Sequence, residues 1–476
     1  MIKSIFNHTL LMLCLFLSEI LIGQTTATNL QNTLTFEEYL GYVKMHHPLM
    51  KQAELTLKMG EANLLKSRGG FDPKIEVDYD RKKFKDTEYY DQLNATFKLP
   101  TWYGIEFKAN FEENSGQFLN PSLTVPEDGL YSAGVSFSLA QGLLINERMA
   151  TLKQARFFKE QTKADRDLLV NNLLFEASQA YFNWIEATNE QTIYQNFLDN
   201  ATTRLKAIER SVETGDKAAI DITEARIILQ TRQLNLEAAT LKKQKAVLAA
   251  SNFIWLNDIP MEIESTISPS LPSIETLETS LLIDGITNIE MVLATHPKLK
   301  SLDAKIESLH VARSLKRNKL LPKLDLQYNF LSQDYDQLNN FNTANYKAFV
   351  NFSIPLFLRK ERGDVQLATL KINDVSFERK STNLALKNKI EATQAEIVSL
   401  EKQTLLIDSI VTDYIALVNA EERKFSLGES SLFLINSREQ KLIDAQLKEN
   451  KLQVKNLYAT ANLYNALGIV EPILTN

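Results

Sequence analysis

The sequence has one cysteine, Cys14, and five histidines among 476 residues. Cys14 lies in an amino-terminal apolar stretch with Leu13 before it, where a lipoprotein signal needs a small residue, so lipidation is not expected. A mature chain cut beyond that stretch has no disulfide and no thiolate chemistry. The histidines show no metal-site spacing, and no nucleophile elbow, phosphate loop or catalytic carboxylate pair is visible. Neither an enzyme nor a cofactor is therefore expected. After residue 24 no apolar run approaches the roughly 18 residues of a membrane helix; the longest, 246–256, includes Ser251 and Asn252. A membrane crossing by this chain would have to use β-strands. The net charge of -6, with Lys and Arg spread along the chain, leaves no basic footprint for nucleic acid.

What is present begins with a secretory pattern. Residues 1–23 carry a basic Lys3, an apolar stretch over 10–22 and the small Gly23 before Gln24-Thr25-Thr26, the layout of a signal peptide. Cleavage after Gly23 and after Ala27 both fit. The remainder, 44% hydrophobic and 24% charged overall, can bury a large core.

Residues 47–79 recur at 296–328 without a gap. His47/His296, Pro48/Pro297, Lys51/Lys300, Pro73/Pro322, Lys74/Lys323 and Tyr79/Tyr328 share one offset of 249 residues (47 to 296). A fixed internal period implies two copies of one structural unit. In each copy a proline suited to a first helical turn opens a helix, and Pro73 or Pro322 closes it. The hydrophobic period then changes from 3.6 to 2. Ile75, Val77 and Tyr79 alternate with Lys74, Glu76, Asp78 and Asp80; Leu324, Leu326, Tyr328 and Phe330 alternate with Lys323, Asp325, Gln327 and Asn329. Further alternating runs are centred on Ala95–Leu99, Ile105–Phe111, Val135–Leu139 and Val350–Ile354, giving six candidate strands, four before residue 145 and two after 320.

The strands end at Gly142 and at Pro355, and long helical stretches follow. Residues 150–212 contain no Gly or Pro and place apolar residues three or four apart, as in Leu169, Leu173, Ala177, Ala180 and Trp184. A helix of about 60 residues is ~90 Å long, too long for an ordinary globular domain and suited to a coiled bundle. Breaks at Gly215 and Gly428 fold each long stretch into an antiparallel hairpin, and Glu209-Arg210 and Glu422-Arg423 precede both. The expected organisation is a first repeat over 24–256 (strands 74–140, helical hairpin 146–256), a linker over 257–290 and a second repeat over 291–476 (strands 323–355, helical hairpin 360–468).

An alternating strand commonly covers a soluble core. Here the strands belong to an exported chain, are flanked by aromatics such as Tyr79, Trp102, Tyr103 and Tyr328, and face no second apolar layer except the long helices. The same alternation with its apolar face toward lipid makes a transmembrane barrel. Neither four nor six strands close a barrel with a lumen, and an open edge in hydrocarbon leaves backbone groups unpaired, so a spanning sheet requires several copies. That arrangement is a conduit; a non-conducting periplasmic coiled-coil scaffold is the competing reading.

Taken together, the duplicated His-Pro helices, Leu321-Pro322-Lys323, the exit Ile354-Pro355-Leu356-Phe357 and the Gly-centred hairpins with Ile220-Asp221-Ile222 resemble the TolC-like outer-membrane efflux family over essentially the whole mature chain. The resemblance implies a mainly α fold with a β-barrel portion. It also implies a homotrimer whose barrel lies in outer-membrane lipid and whose α-helical tunnel crosses the periplasm, working with a periplasmic adaptor and an inner-membrane transporter. It assigns Gly215 and Gly428 to the periplasmic tip where adaptors dock, and Asp221 to a gate; a solvated helix-face carboxylate is the plain alternative for Asp221. Leu434 and Ser437 stand where the family's best-known member has acidic residues, so a second acidic ring is not expected. Asp216 is expected to cap the helix that follows, as Ser430 or Ser431 is in the second hairpin. Pro73, Pro322, Gly142 and Pro355 are expected at helix–strand junctions. The extra hairpin over 92–111 either widens a trimeric barrel from twelve to eighteen strands or lies outside it; tolerance of insertions in loops favours the second, with four strands per copy.

Overall fold

The computed structural model describes residues 33–283, 288–340 and 342–470. The signal peptide expected at 1–23, with both cleavage sites, lies outside the described residues. In chain order the main elements are α1 (Phe36–His46), α2 (Pro48–Arg68), β1 (Lys74–Phe84), β2 (Thr87–Pro100), β3 (Ile105–Ser115), β4 (Leu130–Ser138), α3 (Glu147–Glu213), α4 (Ala219–Ser251), α5 (Ile274–Ser280), α6 (Ile289–Thr295), α7 (Pro297–Asn318), β5 (Lys323–Ser332), β6 (Tyr346–Ser353), α8 (Arg359–Ser426) and α9 (Leu432–Leu467). The order helix, helix, strands, long helix, helix occurs twice, from α1 and again from α6.

The starts and stops are local chemistry. Thr35 and Glu38 form a reciprocal capping box at α1, each side chain accepting the other residue's backbone N–H. His296 caps α7, its Nδ1 accepting from the Lys298 N–H at 3.1 Å, and Pro297 occupies the first turn. Gly69 and Gly70 tighten the end of α2 into a 3₁₀ turn ahead of Pro73.

By packing, the chain divides into two units, each assembled from separate stretches. The first takes residues up to 47, then 174–281 and 396–461. Its aromatic core sets Phe36 against Phe182 and Tyr39 against Tyr181, ring centroids 5.4 and 5.1 Å apart. Trp184 and Tyr181 are fully buried there. Each such side chain contributes about 1.5–3 kcal/mol by leaving water. The Tyr181 hydroxyl donates to the Leu34 carbonyl at 2.7 Å and accepts from the Ser270 N–H at 3.1 Å, beside a short parallel pairing of Thr33–Leu34 with Ser268–Pro269. Between the repeats, Ile263, Leu277 and Leu281 are buried in this unit. Farther along, Phe197 of α3, Leu400, Ile407 and Val411 of α8 and Ile443 and Leu452 of α9 make one apolar seam.

The second unit takes 48–173, 282–395 and the residues from 462 onward. Its centre is a single six-stranded antiparallel sheet in the order β6-β5-β4-β3-β2-β1. β1 and β2 join through Lys85 and Asp86, both with positive φ (48° and 59°), the left-handed pair that matches the twist of a two-residue hairpin. The six alternating segments of the sequence are these six strands. The hairpin over 92–111, favoured by the sequence as an insertion outside the sheet, is instead inside it: β2 pairs β1 from Lys74↔Lys98, and β3 pairs β4 from Ile105↔Phe137. Its alternation is in phase with the neighbouring strands, and its backbone groups are paired with them on both sides.

Candidate functional site

Following the register across the sheet separates two faces. Val77 lies opposite Ala95, Ala95 opposite Phe111, and Phe111 opposite Tyr131; Phe107 meets Val135, Val135 meets Tyr328, and Tyr328 meets Ala348. One face is thus apolar across all six strands. Ile75 and Val77 on β1 and Val350 and Phe352 on β6 are 60–75% exposed, the mark of an apolar surface without a partner. On the other face the Thr96 hydroxyl donates to Asn110 at 2.8 Å, the Ser138 hydroxyl to Asp325 at 2.8 Å, and Lys347 pairs with Glu112 at 3.5 Å. Polar groups on that face satisfy one another and leave the apolar face free of charge through its middle.

The proposed junction residues sit where the strands begin and end. Pro73 and Pro322 immediately precede β1 and β5, and Pro355 follows β6. Gly142, with φ 100°, turns the chain from β4 toward α3. The structure brings Pro322 and the Gly142 turn together: the Leu139 N–H donates to the Leu324 carbonyl at 2.8 Å and the Gln141 N–H to the Pro322 carbonyl at 3.1 Å. Asn146 fastens the turn, its Nδ2 donating to the Trp102 carbonyl at 3.0 Å while its Oδ1 caps Met149. Trp102 stacks on Phe71 at 5.4 Å. Leu144, Leu356 and Phe357 beside these junctions are 72–89% exposed and extend the apolar band.

The two helical turns are built alike. Gly215 and Gly428 have φ of 84° and 79°, a region costly for any residue with a Cβ. At the first turn the Gly215 N–H donates to the Val212 carbonyl and the Asp216 N–H to the Ser211 carbonyl; at the second the Gly428 N–H donates to Phe425 and the Glu429 N–H to Lys424. Both are Schellman endings that satisfy carbonyls left over by the helix. The Lys217 ammonium lies 4.0 Å from the centroid of the Phe425 ring, so the turns meet. Asp216 does not cap α4: its carboxylate accepts from the Thr214 hydroxyl at 2.7 Å, and Ala218 occupies the cap position without a side-chain bond. Closing the first turn through Thr214 leaves Asp216 too early to reach the free N–H groups of α4. Ser431 accepts from the Leu434 N–H at 3.3 Å, the cap at the second hairpin. Asp221 stands in the first turn of α4, half-buried, next to Ile222, which packs on Ile208, Ala225 and Leu432.

Sequence reasoning missed a buried charge cluster joining all four long helices. Arg204 of α3 donates to Glu439 of α9 at 3.1 Å and to Glu422 of α8 at 3.0 Å. Arg232 of α4 lies 3.6 Å from Glu439 and donates to Gln440 at 2.7 Å. Arg232 and Glu439 are only 2% and 1% exposed, and burial pulls the Arg232 guanidinium below its ordinary value against the opposing pull of Glu439. Asn436 completes the set, donating to Glu224 at 3.2 Å.

Among the described residues no helix is long and apolar enough to cross a membrane, and no group of His, Cys, Asp and Glu is arranged to hold a metal ion. Residues 288–469, the second repeat, match the family described as outer membrane efflux protein. The match covers this second repeat, less than half of the chain. The resemblance read from the duplicated motifs points to the same family. Among its relatives, the pyoverdine export outer membrane protein OpmQ of Pseudomonas putida is 22% identical over 312 residues, spanning 65% of this chain and 64% of OpmQ, a little under two thirds of its length. The toluene efflux pump outer membrane protein TtgI of Pseudomonas putida is 20% identical over 354 residues, 74% of this chain and 73% of TtgI. The fold is that of solved outer-membrane channels. CmeC of Campylobacter jejuni superimposes with a TM-score of 0.65 at 15% identity, over 90% of this chain and 85% of that one. The open state of MtrE of Neisseria gonorrhoeae gives 0.65 at 14% identity, over 91% and 88%.

Proposed function

We infer that this chain is an outer-membrane protein, the passive exit duct of a multi-component efflux or type I secretion system, and that it works as a homotrimer. The observation that carries the reading is the apolar face continuous over six antiparallel strands, whose edges are open and whose ends run into long helical hairpins. A spanning sheet with two open edges is tolerable in hydrocarbon only if other copies close it. In this reading the strands of both repeats (74–140 and 323–355) build a shared barrel. The hairpins (146–256 and 360–468) build a periplasmic tunnel, and 257–290 joins the repeats. Pro73, Pro322, Gly142 and Pro355 mark the level where tunnel becomes barrel. The matched turns at Gly215 and Gly428 form the periplasmic tip that receives the adaptor, while an inner-membrane transporter supplies the energy. The export role in the name of OpmQ and the efflux role in that of TtgI support an export function.

Asp221, near that tip, acts as an acidic ring at the narrowest point, three carboxylates sharing one axis. Reconstitution tests the whole reading. Purified protein should fractionate with the outer membrane as a detergent-resistant trimer and conduct ions in a planar bilayer, with Asp221→Ala conducting more than the parent. A soluble, non-conducting monomer would instead establish a scaffold role, and unchanged conductance in Asp221→Ala would remove the gate assignment alone.

A further inference from the structure

We propose that the barrel of this protein has eighteen strands, six from each copy, closed by pairing β6 of one copy with β1 of the next. The inference rests on the trimeric reading above and adds the size and register of the wall. Its first support is polarity. Six strands that alternate in direction leave the edge strands β1 and β6 antiparallel to each other, so a second copy adds to the sheet without breaking the antiparallel pattern that single-chain outer-membrane barrels keep. The second is the shared apolar face, which includes Phe97 and Phe107 of the inserted hairpin.

Stagger is the third and decides the geometry. The ladder that starts at Lys74, the first residue of β1, passes through Lys98, Lys108, Gly134 and Asn329 and ends at Lys347. Lys347 lies six residues before Ser353, the last residue of β6. If all copies begin their strands at one level, Lys347 must meet a residue about six positions after Lys74 on the next copy. The alternation of faces selects Asp80, an acid opposite a base, which also sets Val350 opposite Val77. Each copy then adds a stagger of six, equal to its strand number, and the strands tilt by about 35°, at the lower edge of the range for closed barrels. With strands about 4.8 Å apart, an eighteen-stranded wall measures about 34 Å across its strand axes, against about 22 Å for twelve. Walls of that strand number leave an open aqueous channel, about 12 Å wider than that of a twelve-stranded barrel with the same lining.

Cysteine chemistry tests this, because the full chain has only Cys14 in its amino-terminal apolar stretch. Two double variants, Asp80→Cys/Lys347→Cys and Val77→Cys/Val350→Cys, sample both faces, since adjacent pairs alternate between the close and wide classes of an antiparallel ladder. Oxidation in outer-membrane preparations should turn at least one of them into a covalent trimer of threefold mass that reduction returns to monomer. In single variants, Phe107→Cys should resist a charged thiol reagent and react with a lipid-soluble one, whereas Lys108→Cys should react with the charged reagent. If trimers form but neither double variant crosslinks, the closure is wrong. If Phe107→Cys is modified as fast as Lys108→Cys by the charged reagent, the hairpin lies outside the wall and the eighteen-stranded barrel falls while the trimer stands. Mass measurement in mild detergent that finds only monomer overturns both the barrel and the trimer.

Discussion

The Arg232 guanidinium and the Glu439 carboxylate lie 3.6 Å apart with 2% and 1% of their side-chain surface exposed, so two charges on facing helices are withdrawn from water together. Such a pair adds little net stability over well-packed apolar residues, but removing one partner strands the other. Glu439→Ala should therefore destabilise the first unit by about 3–5 kcal/mol. The double variant Arg232→Leu/Glu439→Leu should recover more than half of that loss, because Arg204 keeps Glu422 at 3.0 Å. Thermal melts of the detergent-solubilised protein separate these outcomes, and a melt of Glu439→Ala that matches the parent would show that the cluster does not hold the helices.

His296 gives a pH dependence of defined sign. It is 3% exposed, packed where a side chain at Gly468 would approach its Nε2 to 2.6 Å. Burial, reinforced by the charge of Lys389 and opposed by the Ala466 backbone, lowers its pKa from 6.5 to about 4. The folded chain thus keeps His296 neutral where the unfolded chain is protonated. Stability is lost as pH falls from about 6.5 toward about 4, by at most roughly 3 kcal/mol from this group. The opening free energy over α7, from hydrogen exchange corrected for the intrinsic rate at each pH, should fall between pH 7 and pH 5, and His296→Asn, which retains a capping side chain, should flatten that response.

The sheet predicts opposite tolerance on its two faces. Ala109 lies on the apolar face between Phe97 and Ala133, and Asn110 on the polar face between Thr96 and Ser132. Ala109→Arg should cost about 2–4 kcal/mol in a lipid-facing strand, and Asn110→Arg much less. Quantifying assembled protein in the outer-membrane fraction measures this; equal yields from both variants would mean that lipid does not cover the apolar face.

Much of this fold can be read from local pattern. The constant offset from His47 to His296 exposes the duplication, alternation after Pro73 and Pro322 exposes the strands, and the lack of Gly and Pro over 150–212 exposes a helix that continues to Glu213. Pairing is different, since two strands with the same alternation can lie side by side or far apart, and the 87–115 hairpin joins the sheet through long-range register. The charge cluster was hidden for a related reason. Arg204, Arg232 and Glu439 stand on helices rich in charge, where helical spacing alone reads each as solvated, and only the packing of four helices buries them. Asp216 reads as a cap from the sequence because it lies two residues before the cap position, and only the geometry of the turn directs its carboxylate to Thr214.

Lys217 and Phe425 offer a test of how the two helical turns act together. Their contact of 4.0 Å is a polar link between the Gly215 and Gly428 turns beside the apolar cluster of Ile208, Ala225 and Leu432, and each residue belongs to a different hairpin. A cation over an aromatic face at an accessible site contributes about 0.5–1 kcal/mol. If the proposed tip opens by separating the hairpins, that energy favours the closed arrangement, and its loss should raise the open fraction roughly two- to fivefold. Lys217→Ala should produce this rise in single-channel recordings, and Phe425→Ala a larger one, because the Phe425 ring also packs on the cluster of Ile208, Ala225 and Leu432. The double variant should add nearly nothing to Phe425→Ala, because that variant has already removed the contact that Lys217 makes. Additive effects would show that the residues act independently and that the turns are not coupled through this pair.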